Sequence, residues 1–320
     1  MLATFRVTFP FFALIAAGYA CVTWRWLAVD AVRALNSFVL YVALPCMLFK
    51  FSAELDLETL LRQPFLPIYG AVGLALFGLL LLVGRLQRIA WRDLSFVSLV
   101  GVFPNTGFIG VPLLVSMMGP RAATPAVAIV LFDMLVTSSL SVATSTLDGH
   151  DVSNARRALR GAFSGVLSNP MLWSMLAGMT MAAMHWTLGP VWRAPIWMMA
   201  DATTAVALFT TGGILARARL EDSVEHRHQP LAPFIIAKLF AHPLMVWTGV
   251  WTARRTGLPI EPWVGQSLVL LAAMPSASNV SFLAERMGGN AGWVARVILW
   301  TTVGAFLTFS LWAWVVAPAA

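Results

Sequence analysis

Ten apolar stretches of membrane-spanning length follow one another along this chain, with little polar sequence between them. They lie near residues 5–24, 34–51, 64–84, 94–117, 122–146, 166–186, 195–216, 232–253, 262–285 and 291–317. A helix needs about 20 predominantly apolar residues to cross a hydrocarbon core. A soluble domain could not hide so many, because it needs charge to keep its surface wet. This chain is 59% hydrophobic and 11% charged, with a mean hydropathy of +0.79. The expectation is an all-α polytopic membrane protein whose partner is the lipid bilayer. The first stretch holds Pro10 and Gly18, lacks a convincing cleavage site, and reads as a retained helix.

The formal charge of +7 could suggest nucleic acid, but its distribution along the chain reads as topology. With the N-terminus outside, one set of span ends carries Arg6, Lys50, Arg62, Arg121, Arg193, Arg254 and Arg255. The other carries Arg25, Arg33, Arg85, Arg88, Arg92, Arg156, Arg157, Arg160, Arg217, Arg219, Arg227 and Arg286. Twelve against seven puts the second set in the cytoplasm and both termini outside an inner (plasma) membrane. Cys21 and Cys46 sit in apolar spans and carry no redox or metal message. His226 and His228 form an H-x-H in a cytoplasmic loop, too little for a metal site. Neither a metal nor a cofactor is expected.

The two halves echo each other. Pro10 to Gly18 in the first span has its counterpart in Pro170 to Gly178 in the sixth, offset by 160. Val42-Ala43-Leu44 returns as Val206-Ala207-Leu208, and Gln63-Pro64 with Pro67 returns as Gln229-Pro230 with Pro233. The matches keep their order while the offset drifts slowly upward. Five crossings per copy is an odd number, so the second copy would sit upside down. Inverted repeats are the architecture of alternating-access carriers. The expected organisation is 1–146 as the first five-helix repeat, 147–165 as a cytoplasmic linker, and 166–320 as the second.

Spans four and nine, equivalent in that scheme, are both interrupted. The fourth contains Pro104-Asn105-Thr106-Gly107 and continues to Gly110 and Pro112; the ninth contains Pro275-Ser276-Ala277-Ser278-Asn279. Proline and glycine at this density break a helix, and unwound backbone at membrane depth is tolerated only inside protein or beside a water-filled cavity. A new helix N-terminus offers free N–H groups to a carboxylate. Asn105 and Asn279 can bind a polar ligand without carrying a charge. Substrate contact is therefore expected from Pro104, Asn105, Thr106, Gly107, Pro275, Ser276, Ser278 and Asn279, although Asn and Ser could equally just satisfy the broken backbone.

The run Asn105 to Pro112, Leu44-Pro45 in the second span, and Pro275 to Asn279 followed by Leu283-Ala284-Glu285 resemble the auxin efflux carrier family over the whole chain, its bacterial organic-acid carriers most of all. The resemblance implies ten helices in two inverted repeats, with the fourth and ninth crossing at their prolines. It also implies elevator-type alternating access and small carboxylates, malonate-like or auxin-like, as substrates. The long cytoplasmic loop of the plant members is absent, and with it the seat of their phosphorylation control.

Asp133, Asp201, Lys238, His242 and Arg296 fall within spans, where ionisable residues are functional candidates by default. Asp133 is central, and Arg296 on the equivalent span is its expected partner. Lys238 and His242 share a helix face, with Lys238 within snorkelling reach of the cytoplasmic end. Asp201 reads as solvated near the outer surface, and Trp24, Trp91, Trp263 and Trp312 as interfacial anchors. Proton or sodium coupling and a homodimer stay open. The rival readings are a sodium/proton antiporter or sodium/bile-acid-type symporter, a channel, and an intramembrane enzyme using His242 and Ser276, for which no motif speaks.

Overall fold

A computed structural model describes residues 2–148, 161, 167, 169–220 and 229–316, and these are helical with no strand; one isolated β-bridge is the exception. Most of the expected linker 147–165, with Arg156, Arg157 and Arg160, lies outside the described residues, as do Arg227 and the His226–His228 pair. In chain order the elements are α1 (Leu2–Thr23), α2 (Val29–Ala53), the short α3 (Leu57–Arg62), α4 (Phe65–Leu86), α5 (Trp91–Val102), α6 (Thr106–Met118) and α7 (Pro120–Thr144). They continue as α8 (Pro170–Ala183), α9 (Pro190–Leu220), α10 (Ala232–Arg255), α11 (Pro262–Ala272), α12 (Val280–Arg286) and α13 (Ala291–Val315).

Seven of these, α1, α2, α4, α7, α9, α10 and α13, are long and apolar enough to cross a membrane. The stretches expected at 94–117 and 262–285 each divide into two pieces, α5 with α6 and α11 with α12. The stretch expected at 166–186 is represented by the 14-residue α8.

Proline shapes the long helices without ending them. Wide π-turns occupy Val39–Ala43, Thr106–Gly110 and Ala237–Ala241, and a proline follows each at the same spacing: Pro45, Pro112 and Pro243. Proline removes one N–H and its ring presses on the carbonyl four residues back. Widening the preceding turn relieves both problems, as π-bulges do. Residues 107–112, expected to be unwound, are therefore helical, and the fourth stretch breaks only at Phe103–Asn105. A fourth π-turn, Asp133–Thr137, has no such proline; there the Thr137 hydroxyl donates to Asp133 Oδ1 at 2.9 Å.

Glycine sets the closest helix contacts. Gly18 of α1 lies so tightly on α9 that an added Cβ would overlap the Phe209 carbonyl oxygen; Gly178 of α8 lies in the same way on the Phe49 carbonyl of α2. Gly178 is 160 residues after Gly18, and Phe209 is 160 after Phe49. The α1–α9 seam and the α8–α2 seam thus exchange under the same shift that relates the sequence halves. Small residues at such seams let backbones approach, the usual source of packing energy between membrane helices. The interrupted pieces lie innermost: Leu94 through Val102 of α5 are all buried, as is nearly all of α11 from Val264 on.

Contacts at the helix ends engage residues of both charge sets expected from sequence. At one end Gln63 Nε2 donates to Glu261 Oε1 at 3.0 Å, Arg121 stacks over Trp263, and Lys50 pairs with Asp201 at 2.6 Å. At the other, Asp148 accepts from the Trp91 and Arg92 amides, Asp93 accepts from the Asn290 amide, and Arg219 donates to the Tyr19 hydroxyl. Asp201 is exposed, as expected, and its bond to Lys50 also ties α9 to α2. One expectation changes here. Trp312, expected as an interfacial anchor, is buried with its indole N–H on the Leu239 carbonyl at 3.0 Å.

Candidate functional site

The two interruptions meet. The Asn105 amide donates to the Pro275 carbonyl at 2.8 Å, and the Ala277 amide donates to the Phe103 carbonyl at 3.0 Å, forming an antiparallel bridge between Pro104 and Ser276. Each broken segment supplies the partners that the other lost, so unwound backbone survives at the centre of an apolar protein. The Ser276 hydroxyl donates to the Val100 carbonyl at 2.6 Å, and its amide reaches the Thr301 hydroxyl at 3.3 Å. Ser276 is thus spent on the crossover itself.

Beside the bridge lies a cavity of about 380 Å³, of the size expected for a small-ligand pocket. Pro104, Asn105, Thr106, Gly107, Asn279 and Asp133 all line it. Pro275, Ser276 and Ser278 do not; they stand behind it in the crossover. The side-chain amides of Asn105 and Asn279 make no hydrogen bond to described residues, although each residue begins a helical segment where an Asn could cap. Thr106 at the start of α6 is buried with its hydroxyl unpartnered, and the first amides of any helix lack intrahelical acceptors. A Cβ on Gly107 would meet only Leu44, at 3.8 Å, so this glycine leaves room in the cavity.

Sequence reasoning missed much of the lining, its polar residues Ser138, Ser139, Asn169 and Arg286 included. Arg286, counted only as a topology charge, ends α12 at the rim of the cavity. Asn169, just ahead of Pro170, lines the wall while its side chain accepts from the Met171 amide at 3.0 Å. The Asn-Pro pair is a helix-start signal that was readable for α8. Nothing in the local sequence aims Arg286 at the cavity.

The expected Asp133–Arg296 pair is not formed. Asp133 lines this cavity, whereas Arg296 lines a different one with Tyr19 and Arg219, between α1, α9 and α13. The cation whose field reaches Asp133 is Lys238, and Tyr69 of α4 lies alongside. All three are buried, with Asp133 at 4% exposure and Lys238 at 0%. Lys238 does not snorkel; its ammonium turns inward, donating to the Ala272 carbonyl at 2.8 Å and meeting His242 Nδ1 at 3.1 Å. The Tyr69 and His242 rings stand 5.6 Å apart. Asp133 Oδ2, the Tyr69 hydroxyl and His242 Nε2 have no partner at full hydrogen-bond geometry, although the Tyr69 hydroxyl interacts with the Asp133 carboxylate. Sharing a face was expected of Lys238 and His242; that the face meets Asp133 was not. Among the described residues no cluster of His, Cys, Asp or Glu could hold a metal ion.

The family model described as "Membrane transport protein" matches residues 4–313, nearly the whole chain. The chain belongs to that family. The resemblance to the auxin efflux carriers is thereby confirmed, and the protein is a membrane-embedded transporter, not an enzyme. It is similar to a Rhizobium meliloti (strain 1021) protein that carries the provisional name of malonate transporter, with 27% identity over 296 residues covering 92% of this chain and 90% of that one. It is also similar to the uncharacterized transporter YfdV of Escherichia coli (strain K12), 22% identical over 322 residues, 96% of this chain and 95% of that one.

Proposed function

We propose that the transporter carries a small organic anion, malonate or a like carboxylate, across the plasma membrane by alternating access, binding it in the cavity beside the crossover. One observation carries this reading: two amide side chains, Asn105 and Asn279, come from the two interrupted segments into one cavity and leave their hydrogen-bonding groups unused. An amide orients a carboxylate without the desolvation penalty of a buried charge. The Gly107 and Phe108 amides in the opening turn of α6 add N–H groups and a positive dipole end, the Thr106 amide being held by the Pro104 carbonyl at 2.8 Å, and Arg286 at the rim adds a cation. Asp133 in the same wall does not repel the ligand with a bare charge, because the field of Lys238 reaches it. The provisional name of the Rhizobium relative makes malonate the first substrate to test.

In this reading the chain makes ten crossings, α8 and the two interrupted stretches completing the seven long helices. Residues 1–146 and 166–320 are the inverted repeats and 147–165 the cytoplasmic linker. The exchange of the Gly18–Phe209 and Gly178–Phe49 contacts at one offset supports it. So does the crossover, where residues 103 and 105 relate to 275 and 277 by a common shift of 172. The test is counterflow: purified protein in liposomes loaded with unlabelled malonate should accumulate labelled malonate transiently. A panel of mono- and dicarboxylates showing no counterflow would defeat the reading, and flux without counterflow would indicate a channel.

A further inference from the structure

The interruption that opens the cavity also leaves the last carbonyl of α11, that of Ala272, without a backbone partner. In an unbroken helix the Ala272 carbonyl would accept from the Ser276 amide; that amide instead reaches Thr301, and the Ala272 oxygen is left over. It lies at the negative end of the α11 dipole, inside the protein. In carriers with discontinuous helices, such half-helix C-terminal ends are where a coupling sodium ion or proton is held. Here the Lys238 ammonium holds that oxygen at 2.8 Å.

We propose that Lys238 is a tethered cation standing in the coupling-ion position of this transporter, so that transport runs without sodium. The lysine is aimed there by the fold. The π-turn Ala237–Ala241, forced by Pro243, turns Lys238 into the interior, away from the water a lysine would ordinarily reach. An ammonium is a compact point charge with three donors. One goes to the Ala272 carbonyl and one faces His242 Nδ1 on its own helix. From the other packed elements, Asp133 on α7 supplies a carboxylate and Tyr69 on α4 a phenol, while α11 contributes no titratable side chain beside its carbonyl. A helix C-terminus and a loose carbonyl, lying in the field of the Asp133 carboxylate, form a cation site. A lysine serving only to neutralise Asp133 would have no need to bond the end of the broken helix.

This inference rests on the site proposed above, and its main test needs no substrate. Thermal unfolding of the purified parent should be the same in sodium chloride and choline chloride at equal ionic strength. Lys238→Ala should melt lower in choline and recover at least about 3 °C in sodium, because a vacated cation site binds the ion and binding stabilises the folded state. Should Lys238→Ala not survive purification, Lys238→Ser carries the same measurement, since it removes the charge, frees the Ala272 carbonyl and leaves room for the ion. If malonate counterflow is observed, the parent's rate should be unchanged by replacing sodium with choline. The variant's rate should fall about tenfold or more in choline, the loss expected for a charge-assisted hydrogen bond, and rise again with sodium. A parent that needs sodium, or a folded variant indifferent to it, overturns the proposal. Failure of every carboxylate in counterflow would defeat the substrate reading while leaving the melting result to judge Lys238.

Discussion

An amide grips an anion through its N–H groups while bringing no charge of its own into the membrane, which is why two asparagines matter more here than a lysine would. Removing one such bond from a desolvated site costs about 1–3 kcal/mol, or roughly 5- to 150-fold in affinity. Asn105→Ala and Asn279→Ala should each weaken carboxylate binding by that order while the protein still folds, read by isothermal titration on purified variants. Asn→Asp at either position should be worse at neutral pH, since a second carboxylate in the cavity repels the ligand. Two alanine variants that bind as the parent does would make the crossover purely structural. Arg286 acts differently. It is exposed at the rim and makes no ion pair with described residues, so its field draws the anion in through water. Arg286→Gln should lower the rate of substrate entry more than it changes maximal turnover. The deficit should narrow as salt is raised, because screening removes the same term from the parent; a deficit independent of salt would assign Arg286 a direct bond instead.

At the scale of helices, the crossover was readable because its chemistry is local. Pro104, Pro275, Asn105 and Asn279 announce a break and polar lining wherever they stand in an apolar span. The partner of Asp133 was not readable, since it depends on how α7 and α10 are rotated against each other. Matching the repeats pointed to Arg296 on α13, whereas the π-turn before Pro243 turned Lys238 inward to the charge instead. Proline density also overstated the unwinding of residues 107–112, where a widened turn absorbs what a break was expected to absorb. The glycine seams give the element-scale prediction. A Cβ at Gly18 would overlap the Phe209 carbonyl and one at Gly212 the Ile15 carbonyl, whereas one at Gly73 would meet nothing within 4 Å. Backbone cannot step aside as a side chain can. Gly18→Ala and Gly212→Ala should each destabilise by about 1–3 kcal/mol, and the pair by less than the sum because both force open one seam. Gly73→Ala should be neutral or mildly stabilising, as alanine is the better helix former. Unchanged melting of Gly18→Ala would mean that α1 and α9 are not packed this closely.

Across the whole molecule, the lysines and arginines beside the spans predict the orientation. Contacts at one end join Gln63 to Glu261 and Arg121 to Trp263; at the other they join Asp93 to Asn290 and Asp148 to the start of α5. A protein with two such ends could insert either way, and the positive-inside rule decides between them by counting lysine and arginine beside the spans. The richer end holds Arg85, Arg88 and Arg92 around the α4–α5 turn; the poorer end holds Arg254 and Arg255 at the close of α10. Gln87 and Thr256 sit in these turns, and both are exposed. In a background with Cys21 and Cys46 replaced by serine, a membrane-impermeant maleimide added to intact cells should label Thr256→Cys at once. It should reach Gln87→Cys only after the membrane is permeabilised. The reverse pattern would put both termini in the cytoplasm, and with them the linker 147–165 outside. Partial labelling of both sites before permeabilisation would mean that the chain inserts in both orientations. A twelve-to-seven bias spread over the whole chain argues for one orientation, because Arg25 and Arg33 between the first two spans outnumber Arg6 at the start of the first and act as the chain begins to insert.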